Sequence, residues 1–150
     1  PVEDIYEEDR VPFEMDRATV ISEGTDLAII ACGEMVRPAM QAAELLKERG
    51  ISAAVLDMYC LKPLDEKAVI TAAEGVKAVI TVEEHAPFGG LGAMVSQVLA
   101  KNCPRKMDIL ALPDAPVITG TSKEVFDYYG LNAEGIAKKA MELLASITHV

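Results

Sequence analysis

Ala78-Val-Ile-Thr-Val-Glu-Glu-His-Ala-Pro-Phe-Gly-Gly-Leu-Gly92 decides how this chain is read. Its first five residues are apolar and β-branched, the composition of a strand covered on both faces. Two carboxylates and an imidazole follow at Glu83, Glu84 and His85. Pro87 and the glycines at 89, 90 and 92 then form a loop that no regular element tolerates. Beyond it, Leu91, Met94, Val95 and Val98 recur at i, i+3, i+4 and i+7, one face of a helix. The unit is strand, polar turn, helix, with charge gathered where the strand ends. In open α/β sheets that edge is where ligands and partners bind.

Upstream, Ala18–Ile21 and Leu27–Cys32 read as strands joined by Ser22-Glu-Gly-Thr25. A turn that short joins antiparallel neighbours or feeds a strand in from the sheet's edge. Gly33 breaks the second strand. Val36, Ala39, Met40, Ala43 and Leu46 mark a helix that Gly50 stops. Ala53–Leu56 is the next strand. Asp65 is the expected N-cap of the following helix, with Leu64 and Val69 as its hydrophobic staple. Downstream, Met107–Leu112 reads as the last strand, ending at Pro113. Thr121 and Glu124 match a capping box, Gly130 is the stop, and Asn132 caps a final helix whose apolar face holds Ile136, Ala140, Leu143, Leu144 and Ile147. Strands alternating with helices predict a mostly parallel sheet covered on both sides.

The 150 residues, 51% of them hydrophobic, suffice for one domain with a core. No apolar run approaches the ~20 residues of a membrane span, and no signal peptide opens the chain. Cys32, Cys60 and Cys103 are odd in number and far apart, which points to a reduced, cytoplasmic setting. The net charge of −10 argues against nucleic acid or an anionic membrane as partner. Residues 1–16 hold seven acids against Arg10 and carry six of those ten charges. With Pro1 and Pro12 they read as an acidic arm or interdomain linker, and 17–150 as the domain. Such an arm is expected to be ordered only by contacts outside its own length. An initiator methionine is often clipped before proline, so Pro1 leaves two readings open: a native start, or a piece of a longer polypeptide.

Nucleotide motifs fail when checked. Cys32-Gly-Glu-Met-Val-Arg37 has one glycine where a dinucleotide fingerprint needs three, and no phosphate loop is spelled anywhere. The glycine-rich 89–92 segment opens a helix and in principle offers N–H groups to an anion. Glu83 and Glu84 just before it repel phosphate, so close backbone packing is the favoured reading. Glu84 with His85 has the chemistry of a general acid/base pair. The blander reading, a hydrogen-bonded turn at a domain interface, weighs more without a nucleophile, metal cluster or cofactor motif nearby. Cys60 reads as small core filler, and His149 as a solvated terminal side chain too far from His85 to share a metal.

From Asp9 onward the chain resembles the C-terminal domain of transketolase-type, thiamine-diphosphate-dependent enzymes. The resemblance is carried by Gly24–Gly33, Ala42–Leu46, Lys62-Pro-Leu-Asp65, Thr81–His85, Gly89–Gly92, Leu112–Asp114 and Tyr129–Leu131. Asp9–Glu14 and the Glu-Glu-His turn resemble the split transketolases in particular. Cys60 and Tyr59 depart from the Phe or Thr expected before Lys62. Deoxyxylulose-5-phosphate synthase and the β subunit of 2-oxoacid dehydrogenases share much of the pattern and rank behind. A free-standing, non-enzymatic interaction module is the further alternative.

What the resemblance implies is specific. The fold is a three-layer α/β/α with a five-stranded mixed sheet in order 1-3-2-4-5, strand 1 antiparallel. The parent enzyme transfers a two-carbon ketol unit between sugar phosphates in the pentose phosphate pathway, as a homo-oligomer, in the first instance a dimer. Thiamine diphosphate and Mg²⁺ sit on its pyrimidine- and diphosphate-binding domains. This chain supplies no catalytic, cofactor or metal residue, is inactive alone, and offers Glu83, Glu84 and His85 as interface or subsite candidates.

Overall fold

The structure, a computed structural model, describes residues 4–7 and 13–147. Pro1, Asp9, Arg10, Pro12 and His149 lie outside the described residues.

The elements alternate along the chain as β1 (Thr19–Ser22), β2 (Leu27–Ala31), α1 (Val36–Lys47), β3 (Ala53–Asp57), α2 (Glu66–Glu74), β4 (Ala78–Val82), α3 (Leu91–Asn102), β5 (Lys106–Leu110), α4 (Ser122–Tyr129) and α5 (Ala133–Ile147). A short 3₁₀ turn at Gly33–Met35 leads into α1. The sheet has five strands in the order β1-β3-β2-β4-β5. Only β1 runs antiparallel, against β3; the remaining neighbours are parallel. That is the order, and the antiparallel strand, that the resemblance implies.

The short turn after β1 therefore feeds the sheet from its edge, because β1 and β2 are not neighbours and flank β3. The 23–26 connection crosses the start of β3 so closely that a Cβ on Gly24 would lie 2.1 Å from the Ala54 nitrogen. Glycine is required there by space, not by dihedral angle. Ser52 and Asp26 lock the crossing: the amides of Asp26 and Leu27 donate to the Ser52 carbonyl, and the Ser52 amide donates to the Asp26 carboxylate.

Strands β2, β3 and β4 are buried along their whole length, as runs without alternation require. Alternate residues feed two cores. Leu27, Ile29, Val55 and Ile80 pack with α1 and α5, through Ala39, Leu46, Ile136 and Ala140. Ala28, Ile30, Leu56 and Val79 pack with α2 and α3, through Val69, Ala73, Leu91 and Val95. Each fully buried Leu or Ile contributes about 1.5–3 kcal/mol, and these two layers hold the sheet in place.

The capping signals are found where the spacing puts them. The Asp65 carboxylate accepts from the Ala68 amide at 3.0 Å. Thr121 and Glu124 close a capping box, with Gly130 left-handed behind it. Asn132 accepts from the Gly135 amide at 2.8 Å. The last strand ends at Leu110, two residues before the expected Leu112. Its pairing runs past the strand end all the same, as the Glu83 amide donates to the Leu110 carbonyl and the Leu112 amide to that of His85.

Candidate functional site

Because β2, β3 and β4 are parallel and in register, their C-terminal ends bring Cys32, Asp57 and Glu83 to one edge. Of the three predicted residues, the structure separates Glu83 from Glu84 and His85. The Glu83 side chain turns inward and is 1% exposed, whereas Glu84 and His85 face outward. The Glu83 carboxylate accepts from the Leu91 amide at 2.7 Å and from the Gly92 amide at 2.8 Å. These are N–H groups of the first turn of α3 that have no partner inside the helix.

The glycines follow from this arrangement. A Cβ on Gly90 would stand 2.1 Å from Glu83 Oε2 and 3.0 Å from His85 Nδ1. On Gly92 it would meet Ile109 and the Thr81 hydroxyl at 2.7 Å. Gly89 adopts a φ of +78°. Close packing thus explains Gly90 and Gly92 and a left-handed backbone explains Gly89, and the helix end that in other folds takes an anion holds the chain's own carboxylate.

Outside this clip, the loop presents Glu84, His85 and Phe88. His85 Nδ1 lies 2.8 Å from the Ala86 carbonyl, so its ring is tied to its own turn. Partial burial raises the Glu84 pKa, and the Glu34 carboxylate raises it further. Phe88 is 74% exposed.

Asp57 is the residue that sequence reasoning missed. It closes β3, is 6% exposed, and accepts a 2.7 Å hydrogen bond from the Tyr6 hydroxyl. Its Oδ1 is buried with no partner among the described residues. Burial raises its pKa, and the Tyr6 bond opposes that only in part. The same burial, reinforced by Asp57, holds the Tyr6 phenol protonated. Beside them, burial first and then the charges of Glu83 and Asp57 push the Cys32 thiol up to about 11. A thiol so suppressed is no nucleophile. An unbroken apolar strand ending in Asp was the available signal, but nothing in the sequence pairs Asp57 with a tyrosine 51 residues away.

The described part of the arm runs along this edge. Phe13 packs edge-on between Tyr6 and Tyr59, with ring centroids 5.4 and 4.8 Å apart. The Tyr59 hydroxyl bonds both the amide and the carbonyl of Glu14. Ile5 rests against the α1/α5 core. The departure noted at Tyr59 is thus an arm contact, and Cys60 is half-buried beside it.

A groove of about 840 Å³ lies between α1 and the α4–α5 turn, over Met35, Pro38, Leu45, Phe126 and Leu131. Of the two basic groups at its rim, Lys123 is paired with Asp127. Among the described residues no three His, Cys, Asp or Glu side chains converge as metal ligands, and no helix is long and apolar enough to cross a membrane.

Comparison with known proteins agrees with this architecture. The family model described as "Transketolase, C-terminal domain" matches residues 16–136. One of the subunits of an apulose-4-phosphate transketolase from Phocaeicola vulgatus is 48% identical over 143 residues, 95% of this chain and 46% of that protein. A putative transketolase C-terminal section from Methanocaldococcus jannaschii is 41% identical over 92% of this chain and 43% of its own. A 1-deoxy-D-xylulose-5-phosphate synthase from a Synechococcus species is 39% identical over 90% of this chain but 21% of its own. Among solved structures, a split-gene transketolase described as an inactive β4 tetramer superposes with a TM-score of 0.88 at 35% identity, covering 96% of this chain and 47% of that one. The chain thus spans less than half the length of these relatives.

Proposed function

This chain belongs to the transketolase C-terminal domain family, and from that we propose that it is the C-terminal domain within the C-terminal section of a split-type transketolase, working only when joined to the remaining domains. The intact enzyme would move a two-carbon ketol unit between sugar phosphates, with thiamine diphosphate supplying the carbanion chemistry. The observation that carries this reading is likeness along nearly the whole chain to one member of a divided transketolase, at 48% identity.

The residues present do not fit the cofactor. A diphosphate seeks free N–H groups at a helix start, and those of Leu91 and Gly92 are taken by Glu83. Glu84 and Glu34 add negative charge outside. We therefore place thiamine diphosphate and its Mg²⁺ on the other domains, and route no step through them here. The chain's own part is assembly. Residues 1–16 act as the interdomain arm, and the Glu84–Phe88 loop faces a companion domain in a cytoplasmic homo-oligomer.

A second reading, the same domain in a deoxyxylulose-phosphate synthase, is supported by the Synechococcus relative. Reconstitution separates the two. The chain is combined with the separately produced remaining domains, and assayed for ketol transfer between ketose and aldose phosphates and for 1-deoxyxylulose 5-phosphate formation. Transfer is the expected product; formation of the deoxy sugar alone would select the second reading. In that assembly His85→Ala is expected to raise KM or weaken association with kcat within about tenfold, because losing a general acid/base costs 10²–10⁴.

A further inference from the structure

We propose that Phe88 is the anchor by which this domain seats itself in an apolar pocket of a companion domain of the parent enzyme, and that Glu83 is the positioning residue that holds it out. The inference rests on the reading above, that the chain works joined to the remaining domains.

Phe88 stands 74% exposed between Pro87 and the left-handed Gly89. A Phe ring can bury 150–250 Å² on docking, and isolated domains gain nothing by holding one in water. The loop carrying it is closed at several points. The Glu83 carboxylate takes two α3 amides, the Glu83 amide binds the Leu110 carbonyl, and the His85 carbonyl accepts from Leu112. Anchors held in place before binding lose little entropy on docking, and hot spots of this kind dominate an interface.

Why a companion, and not a small ligand or a second copy? The relatives are more than twice as long as their match to this chain, so more than half of each such molecule lies outside it. Phe13 and Met15, also exposed, lie on the arm that packs by Tyr59 at the same strand-end edge. Glu84 and Glu34 sit near each other beside the loop. A second copy meeting this edge would set carboxylate against carboxylate. A pocket with an apolar floor and a cationic or amide-rich rim would relieve them.

The test titrates the 1–150 chain against the separately expressed, cofactor-loaded remainder of the enzyme, with association read by sedimentation. Phe88→Ala is expected to weaken binding at least about thirtyfold with an unchanged melting temperature. Glu83→Ala should weaken it comparably with Phe88 intact. Glu83→Gln, which keeps one acceptor, should fold and recover part of the loss. If Phe88→Ala binds within threefold of the wild type, the anchor is wrong. If both Glu83 variants bind normally while Phe88→Ala does not, the positioning role is wrong. Self-association of the chain alone, abolished by Phe88→Ala, would make the occupant a second copy and overturn the proposal. Should the wild type not bind the remainder at all, the proposed function falls and this inference with it.

Discussion

At the scale of single residues, the strand-end carboxylates show how position outweighs identity. Glu83 and Glu84 are adjacent and chemically alike, yet one is a buried helix cap and the other a surface acid, because Glu83 still pairs with the end of β5 beneath the start of α3 and the chain bends away at Glu84. Asp57 is the more exposed to test. Its folded pKa is raised by burial, so the protonated form is favoured in the fold. The contribution of Asp57 to stability is then fully present below the unfolded pKa of about 3.9 and is lost as pH rises through the folded value. Asp57→Asn keeps an acceptor for Tyr6 and removes the buried charge. It is expected to unfold at higher denaturant than the wild type at pH 7.5, with the difference gone at pH 3.5. Urea melts at the two pH values check this, and an advantage equal at both would show that charge is not its source.

Between elements, caps and crossings do the joining. Asp65 has a wider reach than the cap predicted for it, since its second oxygen accepts from the Ala18 amide at 3.0 Å and ties the entry of β1 to α2. Asp65→Ala therefore loses a cap and a tertiary bond, and should cost about 1–2 kcal/mol in chemical denaturation, with no change in kcat of a reconstituted enzyme. Gly24→Ala belongs to the same scale. Its Cβ would meet backbone of β3, which cannot move aside as a side-chain tip can. A loss of about 1–3 kcal/mol is expected, the range for overpacking. Wild-type stability in that variant would mean the 23–26 crossing is looser than described. The capping box, the Asp65 and Asn132 caps and the helix stops were legible because each is local. Neither the Asp65–Ala18 bond, 47 residues apart, nor the Gly24 crossing has any local signature.

For the whole molecule, acidity and the closed α3 terminus bear on the cofactor together. The purified chain is expected to show no saturable heat with thiamine diphosphate and Mg²⁺ up to about 100 μM, a threshold near −5.5 kcal/mol. Saturable binding below that concentration would put the cofactor site on this chain. The arm also matters at this scale. Its acids alone do not order it: Ile5, Tyr6 and Phe13, the apolar and aromatic residues between the charges, pack on the domain, and the Glu14 backbone bonds the Tyr59 hydroxyl. They bury enough to offset part of the backbone ordering cost, roughly 1–2 kcal/mol per residue.

The sequence by itself determined the layers, the parallel core strands, the helix ends and the family. Hydrophobic period, capping chemistry and glycine stops act over a few residues, and the order of the shared motifs survives as a string. Only the tertiary structure decided which carboxylate of Glu83-Glu84 goes in, that the 23–26 connection crosses the start of β3, and that Tyr6 closes over Asp57. Each of these is a contact between segments whose separation the chain does not encode locally. Burial, which sets the charge and reach of such groups, exists only once both strands and the helix above them are in place.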